Sequence, residues 1–322
     1  MSLVKNTLQN SLYQFALSNK FIIPAFNIFD IASARAVLDA AQEEDSPIII
    51  QVSCSTHINL RPLDKFVRYL SDMSYEYDIP IMLHHDYLPT IEACEKAIDI
   101  GFQSVSFDGQ NLPFEENADC LSKVVQYAHR NGVIAEGELG NVPGDGFVKE
   151  SIYTDPEQAV LFCRDTSCDA LAISVGTSHG GLRTDKPLEI NYSLLDKISE
   201  STVKPLILHG AASRPKEYTD YVNIFGGNVE YLMMAPEESI NEAGKHGVVK
   251  IYADIDNWLS VTGALREYFY TNPQDINPIK YLPCYEEKMK SAVKRKIQNV
   301  SGSNGYGHLF CDYVKNGVTN ET

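Results

Sequence analysis

The chain has 322 residues, 44% hydrophobic and 22% charged, with a formal net charge of −16 at pH 7. That length and balance fit a globular protein with a sizeable core, and so acidic a surface repels phosphate backbones, which argues against a nucleic-acid partner. No run approaches about 18 apolar residues, so neither a membrane span nor a membrane partner is expected. The N-terminus lacks the basic-then-apolar pattern of a secretory signal. Cys54, Cys94, Cys120, Cys163, Cys168, Cys284 and Cys311 are scattered without a C-x-x-C pair, which reads as reduced thiols in a cytoplasmic protein.

The first ~18 residues carry an amphipathic helical pattern over Leu8 to Leu17. An apolar strand follows at Phe21 to Ile28, with Asn27 near its end, then a helix through Ile31, Val37 and Ala41. Pro47 to Ser53 is a second buried strand, and Phe66 to Tyr77 a helix. The third strand, Ile79 to Leu83, stops at the polar cluster His84-His85-Asp86-Tyr87, and a helix runs on from Thr90 to Gly101. Further strands are expected at Ser104–Phe107, Val133–Leu139, Ala170–Val175, Pro205–Leu208 and Val248–Ala253. Helices are expected at Phe114–Arg130, Pro156–Arg164, Trp258–Tyr270 and Glu286–Ile297, before a Gly/Ser/Asn-rich end expected to fray. Eight strands alternating with helices, and no linker, predict one α/β domain over residues 1–322: a single (β/α)8 TIM barrel with extra N-terminal and C-terminal helices.

Such barrels place their chemistry where the strands end. The polar residues at those ends are Asn27, Ser53, Asp86, Tyr87, Asp108, Glu138, His179, His209 and Asp254. Two strand-end histidines among carboxylates suit a metal site with an open position. Gly176, Gly180, Gly181 and Gly210 let backbone N–H groups approach an anion, and Arg183 can add charge. The basic run Lys290 to Lys296 reads as a solvated helix face.

Several stretches together carry a family resemblance: Ala97-Ile98-Asp99-Ile100-Gly101-Phe102, Asp108-Gly109, Glu136-Gly137-Glu138-Leu139-Gly140, Gly176-Thr177-Ser178-His179-Gly180, Leu208-His209-Gly210, and Lys250-Ile251 with Asp254 and Asp256. From Pro24 to about Lys296 the chain resembles the class II, zinc-dependent fructose-bisphosphate and tagatose-bisphosphate aldolases. The resemblance implies a lyase of carbohydrate metabolism, cleaving a ketose phosphate or related sugar. It implies Zn2+ on His179 and His209, Asp86 as acid/base, and substrate contacts from Asn27, Gly180, Arg183, Gly210, Ser213 and Asp254. It also implies a homodimer or larger homo-oligomer.

The chain departs from the family pattern in one pocket. Where the family motif is His-x-Asp-His-Gly, this chain has His84-His85-Asp86-Tyr87-Leu88, so the third zinc ligand is either Tyr87 or a shifted His85, with His84 in a supporting place. A phenol, with an ordinary pKa near 10, is a poor zinc ligand at neutral pH. Ala212 replaces a phosphate-binding hydroxyl, and Tyr252 and Ile255 replace a substrate-binding Asn and a phosphate-binding Thr. Arg183 stands for a lysine, and the loop after Gly140 keeps only Asp145 and Glu150 of an acidic cluster. Those changes leave two other expectations open: a non-catalytic sugar-binding or regulatory protein, or an enzyme with an altered substrate.

Overall fold

A computed structural model describes residues 9–54, 60–143, 152–179, 181–211 and 216–318. Gly180 and Ser213, expected to touch substrate, lie outside the described residues, as do Ala212, Asp145 and Glu150.

Eight parallel strands close into a barrel in chain order. They are β1 (Ile23–Asn27), β2 (Ile48–Ser53), β3 (Ile81–Leu88), β4 (Ser104–Phe107), β5 (Ile134–Leu139), β6 (Ala170–Ile173), β7 (Leu206–Leu208) and β8 (Val248–Ala253). Strand side chains alternate between two faces. One face packs outward on the helices: Ile48, Ile50 and Val52, or Ile81 and Leu83, join Val37, Ala97, Leu121 and Phe162 in the larger core. The other face fills the barrel: Ile23, Ala25, Ile49, Met82, Ile134, Ala172 and Ile207 form a second core. Leu12, Tyr13 and Phe15 of the helix Gln9–Asn19 close this inner core at the end opposite the strand tips.

The helix boundaries follow local chemistry. Asp30 and Ser33 form a reciprocal capping box ahead of Ile31–Glu43, and Thr90 accepts the Ala93 N–H ahead of Ile91–Asp99. Each such cap contributes about 1 kcal/mol. Among the described residues four helices go beyond the sequence expectation: Tyr192–Thr202, Lys216–Ile224, Glu237–Ala243 and Gly307–Val318.

Three expectations are corrected. β3 does not stop at Leu83 but runs through the polar cluster, because Gln51, Val52 and Ser53 pair with His84, His85 and Asp86 and keep the backbone ladder satisfied. Up to residue 318 the C-terminal segment is not frayed: Gly307–Val318 is a helix whose Phe310 and Val314 are buried in the inner core. Lys296 is not solvated; it is buried in an ion pair with Asp256, whereas Lys290 and Lys294 pair with Glu43 near the surface. All seven cysteines are free thiols. Among the described residues no helix is long and apolar enough to cross a membrane.

Candidate active site

Alternation along β3 sends Met82, His84 and Asp86 into the barrel and His85 to the outside. His85 rests edge-on against Phe102, ring centroids 4.9 Å apart, and lines a cavity of about 840 Å³ between the strand and the helix Ile91–Asp99. The expectation of a shifted His85 as third ligand is therefore corrected: its face is the one away from His179 and His209.

Asp86 is fully buried and tightly held. Ser106 donates its hydroxyl to Oδ1 at 2.6 Å, and Gln51 donates from Nε2 to Oδ2 at 3.2 Å. The same Gln51 amide donates to Asn27 Oδ1. His84 sits below, its Nε2 3.6 Å from both Asp86 and Glu136 and its Nδ1 2.8 Å from the Ser104 hydroxyl. Burial opposes a charge on Asp86, but His84 and the Lys250 ammonium hold its carboxyl below the usual carboxylate range. A carboxylate ionised at neutral pH suits a proton acceptor.

Tyr87 breaks the alternation. Its φ is +55°, left-handed for a non-glycine residue, and the pairing of β3 with β4 slips between His85 and Leu88. Such a conformation costs ~1–3 kcal/mol. It turns the phenol inward, where the oxygen lies 2.7 Å from His209 Nδ1 and 3.1 Å from His179 Nε2. Burial and the carboxylates of Glu138 and Asp86 push the phenol pKa well above its ordinary value. Tyr252 stacks on the other side of His209, ring centroids 4.0 Å apart at 23°. Burial pushes the His209 imidazole down to about 3, so it is neutral.

His209 and Gly210 close β7. Gly210 has φ +62°, and a Cβ there would meet the carbonyl carbon of Ser178 at 2.4 Å. Gly210→Ala should therefore push apart the two histidine-bearing loops and destabilise the fold by more than about 1 kcal/mol. A thermal midpoint equal to that of the parent would refute this.

The other strand-end residues take separate places. Ser53 pairs with Asp86 across the ladder. Asp254 caps the helix Ile255–Thr271 by accepting the Ile255 N–H at 2.6 Å, and burial raises its pKa to about 6. Asp108 is partly buried, and burial raises its carboxyl. Burial, then Asp108 and Asp86, push Glu138 up to about 8. A carboxyl raised on folding favours the folded state while protonated. This stability is full below the unfolded pKa and is lost as pH rises through about 8. Glu138→Gln should flatten the decline in urea stability between pH 5 and 8; an unchanged slope would assign the decline elsewhere.

Arg183 is not among the clustered groups: it is exposed and makes a two-pronged pair with Glu230. The residues that sequence reasoning left out of the site are Gln51, Ser106, Glu136 and Lys250. Each is a buried polar side chain in a short, otherwise largely apolar strand, which is the signal that could have found them.

A sequence model described as fructose-bisphosphate aldolase class-II matches residues 7–306. The chain belongs to the class II fructose-bisphosphate aldolase family. It is 34% identical over 316 residues to a fructose-bisphosphate aldolase of Treponema pallidum, covering 91% of this chain and 95% of that one. It is 35% identical over 298 residues to one from Giardia intestinalis, covering 90% and 91%. The YdjI aldolase of Escherichia coli K12 has the same fold, with a TM-score of 0.77 at 24% identity over 95% of this chain and 99% of that one.

The three-histidine zinc site that the aldolase resemblance implies does not fit the residues present. Two imidazoles converge, but the third position is a protonated phenol whose oxygen already fills the point of convergence. Among the described residues no group of three or more His, Cys, Asp or Glu side chains is arranged to hold a metal ion.

Proposed function

We propose that this chain performs aldol cleavage and condensation on a ketose phosphate or a related sugar, bound over the carboxyl ends of the strands. Asp86 carries the reading: a buried carboxylate, ionised and aimed by Ser106 and Gln51. In cleavage it takes the proton of the hydroxyl on the scissile-bond carbon that becomes the aldehyde. The oxygen's electrons form the new aldehyde as the carbon–carbon bond breaks, and the bonding pair passes toward the ketone as an enolate. In condensation the proton returns from Asp86 to the new alkoxide. In this reading Asn27, held by Gln51 next to Asp86, orients substrate hydroxyls, and the Gly210 amide grips an anionic group of the substrate, as the resemblance implies. A homodimer or larger homo-oligomer, which the family resemblance implies, is part of the proposal.

The test is a coupled cleavage assay over fructose 1,6-bisphosphate, tagatose 1,6-bisphosphate and unphosphorylated ketoses, with titration calorimetry on the same panel. Turnover of any of these that disappears in Asp86→Asn supports the reading. Binding without turnover supports a second one, a sugar-binding protein. One observation favours that second reading: Tyr252 and Ile255 put a phenol and an alkyl group where the resemblance implies small polar groups for a phosphorylated substrate.

A further inference from the structure

We propose that this chain has exchanged the zinc centre of its family for a metal-independent hydrogen-bonded triad, His179–Tyr87–His209, and that the Tyr87 hydroxyl meets the carbonyl oxygen of the substrate. The carbonyl role rests on the proposed aldol chemistry; the replacement of the metal does not.

Geometry carries the argument. Two ring nitrogens from different strand ends, β6 and β7, point at one oxygen, at 3.1 and 2.7 Å. Those are hydrogen-bond lengths. A zinc ion would require each nitrogen at about 2.0–2.1 Å, at a point the phenol oxygen now fills. Tyr87 holds its place at the cost of a left-handed backbone and a slip in the β3–β4 register. The position is also fixed from the far side, because Tyr252 stacks on His209 and limits its rotation. His85, the other side chain that could complete a metal site, faces the outer helices.

The triad can be satisfied without a metal. In the tautomers that leave His209 Nδ1 an acceptor and His179 Nε2 a donor, Tyr87 donates to the first across the shorter contact and accepts from the second. A carbonyl oxygen arriving at the site can take the hydrogen bond that His209 otherwise receives. As the enolate forms, its oxygen gains charge against a fixed donor in a buried setting; no proton needs to change owner at that oxygen. The pattern is that of an oxyanion site, built from one phenol in place of a cation.

The experiment separates the two halves. Full-length protein is incubated with zinc chloride, freed of loose metal by desalting and measured by mass spectrometry for zinc per chain. The parent is expected to retain none, and Tyr87→His about one per chain that His179→Ala then abolishes. A parent retaining about one zinc per chain would overturn the exchange, as would a folded Tyr87→His that gains none. Tyr87→Phe keeps the ring and the shape, so it should fold even if the histidine variant does not. In a cleavage-competent parent it should lower kcat by ~10²-fold or more with little change in KM; unchanged kcat would overturn the carbonyl role. If the parent cleaves no sugar at all, the aldol reading fails while the zinc measurements still decide the exchange.

Discussion

Asp86→Asn should lower kcat for aldol cleavage by ~10²–10⁴-fold, the usual contribution of a positioned acid/base. The substitution is nearly isosteric, so the fold should survive it. Asn keeps an acceptor for the Ser106 hydroxyl at 2.6 Å. The new amide would face the Gln51 Nε2 donor, but the Gln51 carbonyl oxygen lacks a partner and can turn to accept it. KM should move only a few-fold and the thermal midpoint little, because what is lost is a proton acceptor and not a contact that binds substrate. Parent-like kcat in this variant would end the assignment of Asp86. The pH profile adds an independent check. With its carboxyl held below the usual range, Asp86 should show no titration between pH 5 and 8. Limbs are expected in that window from Asp254, near 6, and Glu138, near 8, and the second should vanish in Glu138→Gln.

The barrel was legible because its strands are short apolar runs that repeat at regular intervals, and hydrophobic burial does not depend on knowing the partners. The strand-end histidines and Asp86 were legible for the same reason: polar groups interrupt those runs at their carboxyl ends. What stayed hidden was set by contacts distant in sequence. Period-two alternation places Tyr87 on the outer face, and no glycine advertises the left-handed residue that turns it inward. Lys296 reads as one more cation on a basic helix face until the buried Asp256, from the N-terminal turn of another helix, is seen beside it. Arg183 reads as an anion-binding cation because Glu230, its partner, is 47 residues away. The closing helix Gly307–Val318 was masked by the glycine and serine that precede it, although Phe310 and Val314, four apart, are the helical signal for its buried face.

Lys250→Met should destabilise the chain by about 3–5 kcal/mol, because it leaves a carboxylate buried without its cation. Lys250 Nζ lies 2.7 and 3.0 Å from the two oxygens of Glu136, and both side chains are sealed inside the barrel. Burial raises the cost of a charge on Glu136, but His84 and Lys250 keep its carboxyl below the usual range, so it is ionised and needs the pair. Tyr13, reaching in from the N-terminal helix at 2.5 Å, and Ser104 supply hydrogen bonds that would remain. Neutralising both partners in Lys250→Met with Glu136→Gln should recover much of the loss, since replacing a buried pair costs far less than orphaning one member. Urea denaturation of the two single variants and the double gives the coupling directly. Equal stability of Lys250→Met and the parent would mean that the pair contributes nothing to the fold. The same variant tests the link from the barrel core to the chemistry above it. Lys250 is one of the charges that keep Asp86 ionised, so its loss should raise the Asp86 pKa and move the acid limb of activity to higher pH.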